Sequence, residues 1–463
     1  MGCGSTSVRR TPTPTVPAAA CLAPDARSRL SAWSARPCLT PHPRGRRLSL
    51  ACPVAAAKNP RIKSIDYTEL NIGCELPKAL ALASIAVRMV HYSTDLTSPY
   101  ASEEVVASNE WMVLGGTLDV DLLTLPPGAK KVKGWTMRPV TELTTGVRRM
   151  AYPIPGADGS IPAPGTSPPL RISYQIPPTV LLPDKVETVG YWLDGKWDME
   201  SISLVEFDTE TRTLSFNTET LTSLGLLQPT HLELPYKQWI FSPSGLSAGA
   251  LHLKTQRFDI SIDISSAGCT LRQPDRPELA ALIGVPMAAA KLVLKLRACG
   301  INLQPRDADA LKLKRITPKN TALEKDLHEA LAPLVCRYHL APSKWNQSRG
   351  DLKFAVRLSP SEPSFGDDDE VAPPPSDPYA PALGDWPCLE YSLKRAVLIS
   401  ALDADATCDE TPLKGGTAHS TPLEAVKPED AEIIDMLRTS SRLYQDTVRQ
   451  LMDELRLFSF TAE

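Results

Sequence analysis

Phe258, Ile260, Ile262 and Ile264 are separated by Asp259, Ser261 and Asp263, so large apolar side chains fall on every second position. Only an extended strand, with its two-residue side-chain period, places all four on one face. The same alternation runs through Leu118, Val120 and Leu122 against Asp119 and Asp121, and less strictly through Ile85, Val87 and Met89. Ile202 and Leu204 share one face before the phase slips to Val205 and Phe207, which a bulge or burial on both faces would produce. Asp208-Thr209-Glu210-Thr211 then supplies a turn, and Leu214 and Phe216 return as the partner strand. Proline adds a second restriction, at 44 of 463 residues against an average usage of about 5%. It lacks the amide donor that ladders and helix interiors need, so it favours short strands, edges and loops. Together these features predict a β-rich α+β chain. It comprises antiparallel β-sandwich-like domains, then an α+β unit and a long C-terminal helix, with disordered segments.

Composition shifts suggest boundaries. Residues 1–58 hold eight Arg and Lys58 against one acid, Asp25, and read as a disordered basic leader. That composition fits an organellar transit peptide, whereas Met1-Gly2-Cys3-Gly4-Ser5-Thr6 fits acylation at Gly2 and Cys3. A leader with no address, or a mistaken start of the coding sequence, is the reading favoured over either. Residues 59–150 read as a first β-rich domain, 151–169 as a Pro/Gly linker and 170–275 as a β-sandwich domain. Lys130, Lys131 and Lys133 follow the turn Pro126-Pro127-Gly128 and read as a solvated edge, with a basic docking patch as the alternative. In 276–402, Glu278–Ile283 and Met287–Cys299 read as helical, with Gly300 placed to end the second. Thr321-Ala322-Leu323-Glu324 reads as a capping box opening another helix. Within that α+β unit, residues 361–387 carry seven acids and no base, which predicts a disordered insertion. A linker at 403–427 leads to a helix over 428–460. There Leu437, Tyr444, Leu451 and Phe458 recur every seven residues, a stripe that packs on its own body or grips another chain.

The chain offers little chemistry. Formal net charge is -3, without the basic footprint nucleic acid demands, and no run approaches the ~20 apolar residues that span a bilayer. Ten cysteines are scattered without a C-x-x-C pair, so reduced structural thiols are expected rather than a zinc or thioredoxin site. Phosphate-loop and dinucleotide motifs are absent from the sequence. The seven histidines are dispersed; His328-Glu329 lacks the second histidine of a zincin, and Cys336 with His339 supplies only two ligands. The chain is therefore expected to be non-catalytic, with no cofactor and no metal.

A longer pattern lies in the middle. It reads Gly190-Tyr191-Trp192, Lys196-Trp197-Asp198, Phe207–Phe216, Leu224-Gly225-Leu226-Leu227-Gln228 and Leu234-Pro235-Tyr236-Lys237-Gln238-Trp239. Upstream it includes Leu76–Leu82, Leu122–Pro127, Lys131–Arg138 and Tyr174–Pro178, and downstream Cys299–Leu303. In order and number these blocks resemble the dynein axonemal intermediate chain 7 family, also called cancer susceptibility candidate 1, continuously over about 65–310 and more loosely beyond. The resemblance implies a non-catalytic accessory subunit of an inner-arm axonemal dynein in the cilium or flagellum. Its implied partners are tubulin of the microtubule doublet and the dynein intermediate and heavy chains. Family members usually carry a long, charged, helical region before the first β-block, where this chain has 58 basic, proline-rich residues. A transit-like leader also conflicts with a cilium.

Candidate protein contacts are Trp192, Trp197 and Trp239, together with the stripe Leu437, Tyr444, Leu451 and Phe458. Aromatic side chains anchor interfaces, but they fill cores more often. A rival reading is a plastid-targeted β-sandwich that binds carbohydrate, which requires an exposed, coplanar tryptophan platform. An enzyme would instead require a deep pocket with convergent groups, for example around His231, Glu233 and Tyr236.

Overall fold

The computed structural model describes the strands Cys38–Pro41 and Arg47–Leu50 and most of residues 62–462. Breaks fall at 84, 96, 99–108, 125–129, 133, 138–147, 156–157, 159, 161, 164, 362–376, 380–384, 394, 404, 406, 409–410, 414–416 and 427–430. The described chain is β-rich, with three larger antiparallel sheets, a two-stranded hairpin and a helical C-terminal region.

Two of the sheets face each other as a sandwich. One runs in the order Cys38–Pro41, Arg47–Leu50, Ile85–Tyr92, Trp111–Thr124, Ser223–Pro229, Val189–Leu193 and Lys196–Asp198, with Arg148–Met150 also paired to Trp111–Thr124. The other runs Ile202–Asp208, Thr213–Thr218, Leu170–Gln175, Ile72–Pro77 and Ile62–Tyr67. Val87, Met89, Leu118, Val120, Ile172, Tyr174, Leu214 and Phe216 meet between them in one apolar core. The bulge expected near Leu204 is present: the register to Thr213–Thr218 slips between Ser203 and Glu206, and Leu204 adopts a φ of 50°.

This arrangement differs from the expected domain division. Ile172 pairs with Cys74 and Leu226 with Leu114, so segments on either side of 151–169 share both sheets. Residues 151–169 thus cross within one sandwich. Alternation reports that a strand buries one face, but not which strand lies beside it. Strands Arg47–Leu50 and Cys38–Pro41 fall inside the segment expected as a disordered leader. They extend the edge presented by Ile85–Tyr92, since an open edge is a template for backbone pairing. Gly2, Cys3 and the rest of that leader lie outside the described residues.

The third sheet has eight strands, in the order Gly268–Gln273, Asp259–Ser265, Ala248–Lys254, Gln238–Gly245, Tyr338–Pro342, Phe354–Pro360, Cys388–Ser392 and Arg395–Ile399. Ile260, Ile262 and Ile264 do lie on one buried face, as their alternation requires. Their cover is helical rather than a second sheet. Helices Ala289–Ala298, Thr321–Leu331 and Arg442–Leu455 share one core with them. The strands between 238 and 275 therefore belong with the α+β unit and not with the sandwich.

The helix caps are local. Asn320 is the N-cap of Thr321–Leu331, its side-chain oxygen accepting from Leu323 N at 3.0 Å. The expected capping box does not form: the N-cap lies one residue earlier, and the Glu324 carboxylate has other partners. It accepts from Ser459 N at 3.0 Å and Ser459 Oγ at 2.6 Å, and pairs with Arg456. The segment 278–283 contains only the short 3₁₀ turn Pro277–Leu279 in place of an α-helix, its chain held by Leu271. Gly300 follows Ala289–Ala298 at a φ of 100°, where a Cβ would sit 2.7 Å from the Leu181 carbonyl.

Two expected loose segments are partly built in. Tyr379 and Trp386, inside 361–387, are buried with Ile240 and Ala341 on the sheet face opposite the helices. Two rings supply apolar burial that the acidic composition conceals. The segment 403–427 runs along the edge strand Arg395–Ile399, with Ala396 and His419 exchanging amide bonds and Leu413 donating to Leu398. It covers an edge that would otherwise be open. The terminal helix is two helices, Ala431–Thr439 and Arg442–Leu455, separated at Ser440 and Ser441.

Beyond Leu455 the chain enters the core. Phe458 lies 5.3 Å from Trp239, 5.7 Å from His328 and 6.1 Å from Phe354 by ring centroids. Tyr236 N donates to Phe460 O, and Ala462 N donates to Tyr236 O. Phe458→Ala should cost about 3–5 kcal/mol, read as a lower urea midpoint. Truncation of exposed Leu443 should change stability by only about 0.5 kcal/mol.

Candidate functional site

The tryptophans separate by environment. Trp192 and Trp197 face each other across the hairpin Val189–Leu193/Lys196–Asp198, their rings 5.3 Å apart and inclined at 68°. The hairpin closes on Asp194-Gly195, both at positive φ, the conformation two-residue hairpin turns prefer. Trp197 is buried and donates Nε1 to Ser98 Oγ at 3.0 Å, whereas Trp192 is half-buried. Trp239 is fully enclosed and donates Nε1 to Thr461 Oγ1 at 3.0 Å. These three rings form no coplanar platform, which removes the geometric basis for the carbohydrate reading.

Leu437, Tyr444, Leu451 and Phe458 are all buried in the core under the third sheet. They sit on two helices and on the segment beyond the second, all held by this chain's own body. A buried face cannot simultaneously grip another chain, so the stripe is corrected to core packing.

The groups considered for chemistry have structural partners. Glu233 is buried and accepts from Arg257 Nε at 2.8 Å and Thr255 Oγ1 at 2.7 Å. Tyr236 is enclosed beside it, its hydroxyl donating to Leu303 O, and burial pushes its pKa up. His328 meets Asp453 through Nδ1 at 2.7 Å in the same core. Cys336 donates to Pro333 O, while His339 bonds Ser242 and rests against Trp386, so thiol and imidazole do not converge. Burial holds the thiols of Cys74, Cys269 and Cys388 up at about 12. No group of three or more His, Cys, Asp or Glu side chains among the described residues could hold a metal ion. No described helix is long and apolar enough to cross a membrane.

Two surface features were not selected from sequence. The hairpin Lys130–Val132/Trp135–Met137 pairs with neither sandwich sheet, and it leaves Trp135 78% and Met137 57% exposed. Its basic sequence had marked an edge, but only the fold shows that the ring after Gly134 lacks cover. The second feature is a cleft of about 400 Å³ between Trp111–Val113 on the sandwich and Leu294–Arg297 on the helix-covered unit.

Sandwich and helix-covered sheet, joined through buried polar contacts and carrying an exposed aromatic hairpin, define a β-rich protein whose candidate sites are surfaces. Its relatives are named for a motor complex. The chain is similar to mouse (Mus musculus) dynein axonemal intermediate chain 7, at 25% identity over 390 residues. That match covers 83% of this chain and 51% of the mouse protein. The human (Homo sapiens) protein of the same name is 24% identical over 410 residues, covering 87% of this chain and 54% of its own length. The homolog from Ciona intestinalis is 28% identical over 281 residues, covering 56% and 38% respectively. The resemblance drawn from the sequence blocks is upheld, and this chain spans about half the length of the vertebrate relatives. No protein-family model matches it. The relatives' names place them in the axoneme, and nothing supports a plastid assignment.

Burial lowers the pKa of His252 and His339 from 6.5. The unfolded chain consequently takes up protons first as pH falls below about 6.5, and the folded state loses stability there. Melting temperature should be nearly flat from pH 7 to 8 and fall from pH 6.5 to 5.5. A His252→Gln/His339→Gln variant should show a shallower fall in calorimetry.

Proposed function

We propose that this chain is a non-catalytic accessory subunit of an inner-arm axonemal dynein in the cilium or flagellum. In this reading it contacts tubulin of the doublet and the dynein intermediate and heavy chains, and supports complex assembly and motility. The observation that carries the reading is the extent of the similarity, from 77 to 87% of this chain across five vertebrate relatives of one name. The structural roles of Glu233, His328 and Cys336 are compatible with it.

Trp135 and Met137 are the contact points the reading favours. They replace the tryptophans and helix stripe suggested by sequence, of which Trp192 alone retains a partly accessible ring. Exposed tryptophans anchor interfaces when a partner excludes water around them. The neighbouring Lys130, Lys131 and Lys133 suit an acidic partner surface.

Isolated axonemes, probed with an antibody to this chain and extracted with salt, provide the test. The chain should release and sediment with dynein heavy chains. Its absence from axonemes, or its recovery in another organelle, overturns the reading. Trp135→Ala should leave folding stability within about 0.5 kcal/mol and weaken retention on extracted axonemes by more than about fivefold, a loss of at least 1 kcal/mol.

A further inference from the structure

The cleft between the two halves is lined by an arginine that no acid pairs with directly among the described residues. Arg297, in the last turn of Ala289–Ala298, and Arg306 both line it. Arg306 is fully engaged: its side chain reaches Asn109 O at 2.6 Å, Thr230 Oγ1 at 3.3 Å and both Asp309 oxygens. Arg297 has no hydrogen-bond or ion-pair partner among the described residues. Burial and the nearby Arg306 charge depress its pKa, opposed only in part by Asp95 and Asp309. Asp95 acts on it only through space: no ion pair joins the two, and Asp95 Oδ1 accepts from Thr97 N, Thr97 Oγ1 and Ser98 N at 2.8 to 3.1 Å. A partly desolvated guanidinium with no direct acceptor is costly, and a bound oxyanion supplies that acceptor.

We propose that the cleft binds a carboxylate attached to an apolar body, with Arg297 as its anchor. The planar guanidinium matches a carboxylate with two parallel donors. A single unpaired cation suits a monoanion. More negative charge is disfavoured, since Arg297 sits at the negative end of its helix dipole and near two aspartates. Trp111, Met112 and Leu294 supply apolar wall, and the cleft's size falls within the range that holds small ligands or a short peptide segment. The floor is fixed: Gly116 has a φ of 91°, and a Cβ there would lie 1.8 Å from the Tyr92 carbonyl. This inference does not depend on the dynein reading.

The test titrates the full chain, following calorimetric melting and equilibrium binding. The probes are phenylacetate, inorganic phosphate and a fluorescein-labelled peptide with one glutamate between two leucines. Phenylacetate should raise the melting temperature, and phosphate at equal ionic strength should not. Arg297→Gln should abolish the phenylacetate shift and weaken any peptide binding at least tenfold. It should also leave the ligand-free chain as stable as the parent or more stable, which a purely structural arginine would not. Tighter binding of the peptide than of phenylacetate assigns the carboxylate to a polypeptide, and the reverse assigns it to a free acid. Absence of binding by both carboxylates, equal response to phosphate, or unchanged binding in Arg297→Gln overturns the proposal.

Discussion

The helix-covered half is organised around the insertion of the final described residues into its centre. Phe458 occupies the space between Trp239, His328 and Phe354, and Phe460 and Thr461 are buried beside it. The segment's backbone is accounted for as fully as its rings. Asn346 Nδ2 donates to Phe458 O at 2.6 Å, Gln347 Nε2 reaches Thr461 O at 3.0 Å, and Glu324 receives Ser459 N. Buried polar side chains that terminate on a passing backbone fix its register as well as its position, since each donor left unmatched would remain desolvated. Through this segment the helices Thr321–Leu331 and Arg442–Leu455 are tied to the strand Gln238–Gly245.

The two halves meet through polar groups. Gln228 Nε2 reaches Gly300 O at 3.1 Å, Asn302 Nδ2 reaches Thr230 O at 2.7 Å, and Thr230 Oγ1 donates to Asp309 at 2.7 Å. All four side chains are buried. Backbone pairing of Leu181 N with Cys299 O continues the seam, and Gly300 permits that approach. Such directional contacts set an angle between layers more sharply than apolar packing does, because hydrogen bonds weaken steeply with misalignment. The Arg297 cleft lies along this seam, so its shape follows from the same contacts.

Much of the fold was readable where a periodic pattern coincided with one element. Ile260, Ile262 and Ile264, the bulge after Ser203 and the turn at Asp208 all follow from local chemistry. Pairing across distance was not readable: nothing in Leu170–Gln175 specifies Ile72–Pro77 as its neighbour. Leu437, Tyr444, Leu451 and Phe458 are all buried, but on two helices and the segment after them, and periodicity cannot distinguish a chain's own body from another chain. The site was less legible still. Arg297 matters because no acid among the described residues pairs with it directly, Asp95 Oδ1 bonding its own turn instead. Trp135 matters for the absence of cover.

The sandwich draws its strands from residues up to Pro229, whereas the other half closes only on Phe458, Phe460 and Thr461. During synthesis at about 5–20 residues per second, the two events are separated by tens of seconds. For most of that interval Trp239, Phe241 and Leu253 present an apolar sheet face lacking its final cover. Until Phe458, Phe460 and Thr461 are made, the nascent chain is thus a finished sandwich joined to an open sheet.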